Sequence, residues 1–231
     1  MKLKIFISII TVFAILQCNN ADTPVVRYSD QTPAGKTMPD KIDASAEYKD
    51  GKFNDMGTAL NMSFTEFVTT TWDFLFADNQ RTPDEKLPQR PADLSDFNNP
   101  VSNQLNVTWL GHSSLMINID GYKILTDPVF EKRVSVLGPT RFNGYVPLDI
   151  EQIPEVDAVI ISHDHYDHLN KYSVQRLIEK SNKFVVPLAV GALLADWGVP
   201  RDKIVEMDWW QEYQVDQNLM IAATPAQHFS G

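Results

Sequence analysis

Three histidines and two aspartates lie within six consecutive residues, His163 to His168, directly after an apolar run. The run Ala158-Val159-Ile160-Ile161 predicts a strand buried on both faces, and open α/β sheets place their chemistry at the carboxyl ends of such strands. His163 and His165 are two residues apart, so in extended backbone both rings leave the strand on the same side. Asp167 and His168 follow as the chain turns and can face a second point nearby. The pattern therefore predicts two adjacent metal sites, each only partly built by this stretch.

The other two of the five histidines also stand in distinctive contexts. His112 lies in Gly111-His112-Ser113-Ser114, and His228 follows a further apolar run. If the polar cluster were an accidental loop after a core strand, the remaining histidines would not be expected in such distinctive contexts. Imidazole and carboxylate ligands suit zinc, and iron or manganese are possible.

The motif His-x-His-x-Asp-His resembles that of the metallo-β-lactamase superfamily. Four other stretches narrow the resemblance to the N-acylphosphatidylethanolamine-hydrolysing phospholipase D family and its bacterial relatives. They are Thr108-Trp109-Leu110-Gly111-His112-Ser113-Ser114, Ile124-Leu125-Thr126-Asp127-Pro128-Val129-Phe130, Gly138-Pro139-Thr140-Arg141-Phe142 and Thr224-Pro225-Ala226-Gln227-His228-Phe229-Ser230-Gly231. The resemblance covers residues 103–231, and more loosely residues from 53. It implies an α+β fold, the αββα sandwich, with metals at the mouth between the two sheets.

The resemblance also implies roles for particular residues. His163, His165 and His228 would hold a first metal, and Asp167 with His168 would hold part of a second. Two zinc ions are expected in the full domain. Paired metals lower the pKa of a water molecule and neutralise charge that builds on a phosphoryl oxygen. Asp167 would also orient the nucleophile or handle a proton.

Several further residues have two open interpretations each. Asp127 is a carboxylate that grips a ligand histidine or a turn residue. His112 takes part in substrate binding or proton transfer, or makes a structural hydrogen bond. Arg141 meets an anionic substrate group, or forms a surface salt bridge, which is the commoner outcome. Asp164 and Tyr166 alternate with the predicted ligands and are expected to point away from the first metal.

The first 18 residues predict a bacterial lipoprotein signal peptide. Lys2 and Lys4 are followed by a largely apolar run of twelve residues, Ile5 to Leu16, which is too short to span a bilayer. Cys18, the only cysteine, would carry the lipid, although Gln17 replaces the small residue usual before it; an ordinary secretory signal is the alternative. The chain is therefore expected outside the cytoplasm, anchored to a membrane. Residues 19–52 predict a flexible tether.

Residues 53–102 predict an amphipathic helical extension followed by a proline-rich loop. The aromatic stripe of the extension is expected to pack on the domain, and contact with lipid is the alternative. Within residues 103–231, strands are predicted at 105–110, 115–119, 122–126, 157–162, 184–187, 203–207, 213–215 and 219–223. Asp120-Gly121 predicts a hairpin turn. Helices are predicted from Asn170 to about Ser181, with Asn170 as cap, and over 190–197, ended by Gly198.

Two family residues have no counterpart in the 231 residues: an aspartate that bridges the metals and a last histidine. The domain is therefore expected to be incomplete at its C-terminus and to hold at most one metal tightly. The leading hypothesis is a metal-dependent hydrolase of phosphodiester bonds in N-acylphosphatidylethanolamine-like phospholipids. A lactonase of the ascorbate-6-phosphate type and a non-catalytic metal-binding lipoprotein remnant are the alternatives. The formal charge of −10 argues against nucleic acid as a partner, and the oligomeric state stays open.

Overall fold

A computed structural model of the chain describes residues 3–8, 11–13, 26–28, 38–53, 63–76, 83–98, 104–133, 140–226 and 228. The helices in these ranges are α1 (Met38–Asp43), α2 (Phe64–Phe76), α3 (Ser95–Asn98), α4 (Lys171–Leu177) and α5 (Val190–Asp196). The strands are β1 (Leu3–Ser8), β2 (Thr11–Phe13), β3 (Val26–Tyr28), β4 (Tyr48–Lys49), β5 (Lys52–Phe53), β6 (Leu105–Gly111), β7 (Ser114–Ile119), β8 (Tyr122–Thr126), β9 (Val156–Ile160), β10 (Ser181–Pro187), β11 (Ile204–Met207), β12 (Gln211–Gln214) and β13 (Leu219–Ala223).

A six-stranded mixed sheet forms the centre of the described structure. Its strand order is β11-β10-β9-β8-β7-β6. The strands β6, β7 and β8 pair antiparallel, whereas β8, β9, β10 and β11 run parallel. The carboxyl ends of β8, β9 and β10 therefore meet at one edge, where ligands bind in sheets of this kind. A second sheet has the order β2-β1-β13-β12-β3.

The hairpin between β7 and β8 forms as its sequence predicts. Asp120 and Gly121 both have positive φ, 50° and 95°. Two-residue turns of this kind match the right-handed twist of the strands that they join. Asn118 supports the turn, because its Oδ1 accepts a hydrogen bond from the Gly121 N–H at 3.2 Å.

The central sheet has an apolar layer on each face, as its alternating side chains require. On β9, Val159 belongs to the layer under the helices, whereas Ala158 and Ile160 belong to the layer between the two sheets. The helix-side layer includes Leu125, Phe184, Val174, Leu177 and Leu194. The layer between the sheets includes Ile117, Ile124, Val185, Tyr213, Leu219 and Ile221. This mixed α/β arrangement confirms the predicted fold class.

The helix α4 begins as predicted but ends earlier. The Asn170 side chain accepts a hydrogen bond from the Ser173 N–H at 2.9 Å, so Asn170 caps the helix. The helix ends at Leu177 and not near Ser181, because Ser181 already pairs with Val156 as the first residue of β10. The Lys180 ammonium also donates hydrogen bonds to carbonyls of the segment before β9. These bonds hold Lys180 beside that segment, beyond the end of the helix.

The start of α5 encloses a buried carboxylate on β11. The Glu206 side chain accepts a hydrogen bond from the Gly191 N–H at 3.0 Å, and burial raises the pKa of Glu206 above its ordinary value. A Cβ at position 191 would lie 2.7 Å from this carboxylate, so only glycine fits there. At the other end, Gly198 has a φ of 100° and follows the helix, as predicted.

The predicted packing of the aromatic stripe of α2 is wrong. Phe64 is 81% exposed, Trp72 63% and Phe76 64%. The helix does form, and Ser63 and Glu66 make a capping box at its start. The periodic pattern predicted a helix with one apolar face, but it could not identify what that face would meet. Within the predicted proline-rich loop, α3 packs Phe97 into the core.

Parts of the N-terminal 53 residues are described, while the predicted signal peptide and tether stay predictions. Residues 3–8 form β1 beside β13, residues 26–28 form β3 beside β12, and residues 38–53 contain α1 and the β4–β5 hairpin. Cys18 lies outside the described residues, and its predicted lipidation stays a prediction. No helix within the described ranges has both the length and the apolar character that crossing a bilayer demands.

Candidate metal centre

The loop that follows β9 folds tightly over the end of the central sheet. The backbone N–H groups of His168 and Leu169 both donate to the carbonyl of His165, at 2.9 and 2.7 Å. This turn reverses the chain, and the ring centroids of His163 and His168 lie 4.0 Å apart. The early and late parts of the motif therefore face one another at the sheet edge.

The first group of potential ligands consists of His163, His165 and His228. One ligand atom from each residue lies within 4.8 Å of the other two. The Nε2 atom of His163 is 3.1 Å from the Nδ1 atom of His165, and the His228 ring centroid is 4.6 Å from that of His163. Since His228 follows β13, this group draws its ligands from both sheets. These are the three residues that the resemblance assigned to the first metal.

The surroundings of His163 favour the neutral form of its ring, which is the form that can bind a metal. Burial and the neighbouring imidazoles of His168, His228 and His165 lower the pKa of His163 from 6.5 to about 4. The ring is therefore neutral at physiological pH, which is the form that binds metals. Its Nδ1 atom lies 2.9 Å from the Ser162 hydroxyl and can donate to it, which leaves Nε2 to face the group.

The second group consists of His112, Asp167 and His168, whose ligand atoms also lie within 4.8 Å of one another. The Oδ2 atom of Asp167 is 2.8 Å from Nε2 of His112 and 3.8 Å from Nε2 of His168. Burial works against ionisation of Asp167. A backbone hydrogen bond and the charges of His168 and His112 outweigh it, so the pKa of Asp167 lies below its ordinary value. The carboxylate is thus ionised and able to bind a cation.

Asp127 contacts His168 through the ring nitrogen that faces away from the second ligand group. Of the two interpretations of Asp127, the structure fits the one in which its carboxylate holds a ligand histidine. Its Oδ2 atom accepts a hydrogen bond from Nδ1 of His168 at 2.8 Å, and its Oδ1 atom accepts one from the Ser162 N–H at 2.7 Å. Asp127 is buried and has a positive φ of 40°. The bond to Nδ1 directs Nε2 of His168 toward the second group, as outer carboxylates do for metal-binding histidines.

Ser162 belongs to the candidate site by its contacts, although the sequence analysis did not single it out. Its hydroxyl donates to Oδ2 of Asp127 at 2.7 Å and lies 2.9 Å from Nδ1 of His163. The Ser162 hydroxyl therefore contacts His163 of the first group directly and His168 of the second group through Asp127. A small hydroxyl residue between a buried strand and a histidine motif is the signal that could have identified it.

In the described residues Arg141 makes backbone hydrogen bonds instead of the expected surface salt bridge, and its role toward an anionic substrate group stays a prediction. Its guanidinium donates to backbone carbonyls: Nη1 to Leu110 at 2.9 Å, Nε to Glu131 at 3.3 Å, and Nη2 to Val129. A Cβ at Gly111 would lie 2.4 Å from Nη1, so the turn that carries His112 rests directly on this guanidinium. The sequence pattern indicated a cation but not that backbone carbonyls would surround it.

Asp164 and Tyr166 belong to neither ligand group within the part of the chain that the structure describes. The two groups fit divalent metals by their chemistry, since imidazole nitrogens and an ionised carboxylate converge at two neighbouring points. The metal roles of the individual side chains remain predictions, and the donor set alone does not select zinc over iron or manganese.

Residues 122–231 match the family model described as "Beta-lactamase superfamily domain". Over these residues the chain is similar to the domain of that superfamily. An uncharacterized protein of Mycobacterium tuberculosis is 40% identical over 81% of this chain and 50% of its own length. The N-acyl-phosphatidylethanolamine-hydrolyzing phospholipase D 1 of Caenorhabditis elegans is 31% identical over 65% of this chain and 44% of its own. A UPF0173 metal-dependent hydrolase of Hyperthermus butylicus is 32% identical over 54% of this chain and 51% of its own.

The chain spans about half the length of these curated relatives. The resemblance inferred from the motifs is confirmed, since the superfamily domain and a phospholipase of the named family are both among the similar proteins.

Proposed function

We propose that this protein is a metal-dependent hydrolase that cleaves the phosphodiester bond of N-acylphosphatidylethanolamine-like phospholipids. The observation that carries the proposal is the pair of three-ligand groups facing one another at the carboxyl edge of the central sheet. The names of the similar proteins support hydrolysis in general and this lipid class in particular.

In this proposal each ligand group would hold one divalent metal, with zinc as the first candidate. Metals so placed lower the pKa of water and neutralise charge on the phosphoryl group. The chain itself supplies three things. Burial keeps His163 neutral, Asp127 fixes the orientation of His168, and the ionised Asp167 stands beside both imidazoles of the second group.

The apolar surroundings of the centre support a lipid substrate. An open cleft begins beside Ser162 and continues between the two sheets. Its lining is largely apolar and includes Ile161, Val186, Met207, Trp209, Ile221 and Ala223. An acyl chain could lie there while the phosphate reaches the ligand groups. The exposed aromatic side chains of α2 and a lipid anchor at Cys18, which would place the protein outside the cytoplasm, are further elements of the proposal.

Hydrolysis of vesicles that contain N-acylphosphatidylethanolamine tests the proposal. Water adds to phosphorus and the bond to the N-acylethanolamine oxygen breaks, so phosphatidic acid and N-acylethanolamine must appear in equal amounts. The protein loaded with zinc should release both, and a chelator should abolish the release. Asp167→Asn should also abolish it, whereas Asp202→Asn, an exposed carboxylate before β11, should not.

The same samples are assayed on phosphorylated lactones, because a lactonase is the competing hydrolase. Lactone hydrolysis without lipid hydrolysis would reject the phospholipase proposal and retain a hydrolase. Absence of both activities in a metal-loaded protein would favour a non-catalytic metal-binding protein.

A further inference from the structure

His112 lies at the centre of the second ligand group, although the sequence analysis gave it no metal role. It is carried by the turn between β6 and β7, whereas Asp167 and His168 belong to the loop after β9. Its Nε2 atom is 2.8 Å from Oδ2 of Asp167, and its ring centroid is 5.1 Å from that of His168. The three side chains therefore converge from two separate loops.

The backbone holds His112 in this position at a cost. His112 has a φ of 51°, in the left-handed region that non-glycine residues seldom adopt. Two contacts stabilise the turn on either side of it. The indole Nε1 of Trp109 donates to the His112 carbonyl at 2.8 Å, and Arg141 donates to the Leu110 carbonyl. Strain that is maintained by surrounding contacts is characteristic of functional sites.

Both histidines of the second group present their Nε2 atoms to the Asp167 carboxylate. Nδ1 of His168 is engaged by Asp127, so Nε2 is the atom that it presents. His112 also presents Nε2, beside the ionised Oδ2 atom of Asp167. Two imidazole nitrogens and one carboxylate oxygen are a set found at catalytic metal sites with three protein ligands. His112 is more than half exposed, which leaves the remaining side of such a site open.

From this geometry we infer that His112 is the third protein ligand of the second metal. The inference replaces the sequence-based expectation that the chain holds at most one metal tightly. It rests on the metal-binding part of the proposed function and is independent of the substrate. Its competitor is a role in which His112 only donates a hydrogen bond that orients Asp167.

Substitutions that separate ligation from hydrogen bonding test the inference. The metal-free protein is titrated with Zn²⁺ by calorimetry and with Co²⁺ by absorption, and circular dichroism checks that each variant is folded. Wild type should bind two ions. His112→Ala should weaken the second ion by more than about 100-fold, the upper range for losing an outer partner of a ligand, and leave the first unchanged. His112→Asp can ligate but cannot donate, so it should retain the second ion. His112→Gln can donate, so a hydrogen-bonding role alone would let it retain the ion.

A thiolate gives a direct signature of ligation. Cys18 is the only cysteine, so in a Cys18→Ser background the substitution His112→Cys introduces the only thiol. The second equivalent of Co²⁺ should then produce a thiolate-to-cobalt charge-transfer band. Retention by His112→Gln with loss by His112→Asp, absence of the band, or a single ion in wild type would each overturn the inference. Failure of wild type to bind any ion would instead reject the proposed function itself.

Discussion

Substitution of Asp127 by asparagine tests how the chain orients a ligand histidine. The carboxylate accepts three hydrogen bonds, from the Ser162 N–H, the Ser162 hydroxyl and Nδ1 of His168. Asparagine has nearly the same shape and tolerates the positive φ at this position. Its amide can still accept from the Ser162 N–H, but it turns an N–H group toward His168. The proton of His168 is then favoured on Nε2, the atom that faces the second ligand group.

The size of the effect follows from the role of the contact. Loss of an outer partner of a ligand histidine typically lowers metal affinity by about 10- to 100-fold, or about 1.4–2.7 kcal/mol. The second metal should therefore bind in this range more weakly to Asp127→Asn. The first metal should lose less, because the Asp127 carboxylate contacts His168 directly but reaches His163 through the Ser162 hydroxyl.

Calorimetric titration of the metal-free protein measures both affinities. Asp157→Asn is the matched control, because Asp157 also accepts a backbone hydrogen bond, from the Lys123 N–H at 2.8 Å, and lies on β9 away from the histidines. This control should lose stability without losing metal affinity. Equal affinity of Asp127→Asn and wild type, or an equal loss in Asp157→Asn, would refute the reasoning.

Three further outcomes are expected. In the metal-free protein, NMR titration should show His163 neutral down to about pH 5, because its pKa lies at about 4. The folded state should lose stability as pH falls from about 6.5 to 4, since only the unfolded chain binds a proton at His163 in that range. A titration midpoint of His163 near 6.5 would contradict this. Arg141→Lys should lower the free energy of unfolding by about 1–3 kcal/mol in chemical denaturation and weaken binding of the second metal, because lysine cannot donate to three carbonyls in this geometry. The control Arg176→Lys, at an exposed ion pair, should lower it by less than about 1 kcal/mol. Equal losses would count against the Arg141 contacts. Gly191→Ala should lower stability by about 1–3 kcal/mol, since its methyl group would overlap the Glu206 carboxylate, and an unchanged unfolding temperature would disprove the overlap.

Most of the central sheet could be predicted from local patterns. Short segments rich in apolar side chains predicted β6, β7, β8 and β9, and Asp120-Gly121 predicted the hairpin. Errors occurred where tertiary pairing decides the boundary. Strand β10 begins at Ser181, three residues before the predicted start, because Ser181 pairs with Val156.

The candidate metal centre was predictable only in part. The spacing of His163, His165, Asp167 and His168 predicted them as ligands, whereas His228 was assigned through the family resemblance. The positions of His112 and Arg141 depend on contacts between segments far apart in the sequence, which no local pattern encodes. The exposed face of α2 illustrates the same limit, since its periodicity predicts a helix but not its neighbours.

Anomalous diffraction from crystals grown with zinc would test the account's central claim most directly. Two peaks should appear about 4 Å apart, one among His163, His165 and His228 and one beside Asp167 and His168. Peaks elsewhere on the surface, or no peak at the carboxyl edge of the central sheet, would contradict the assignment of this edge as a metal centre.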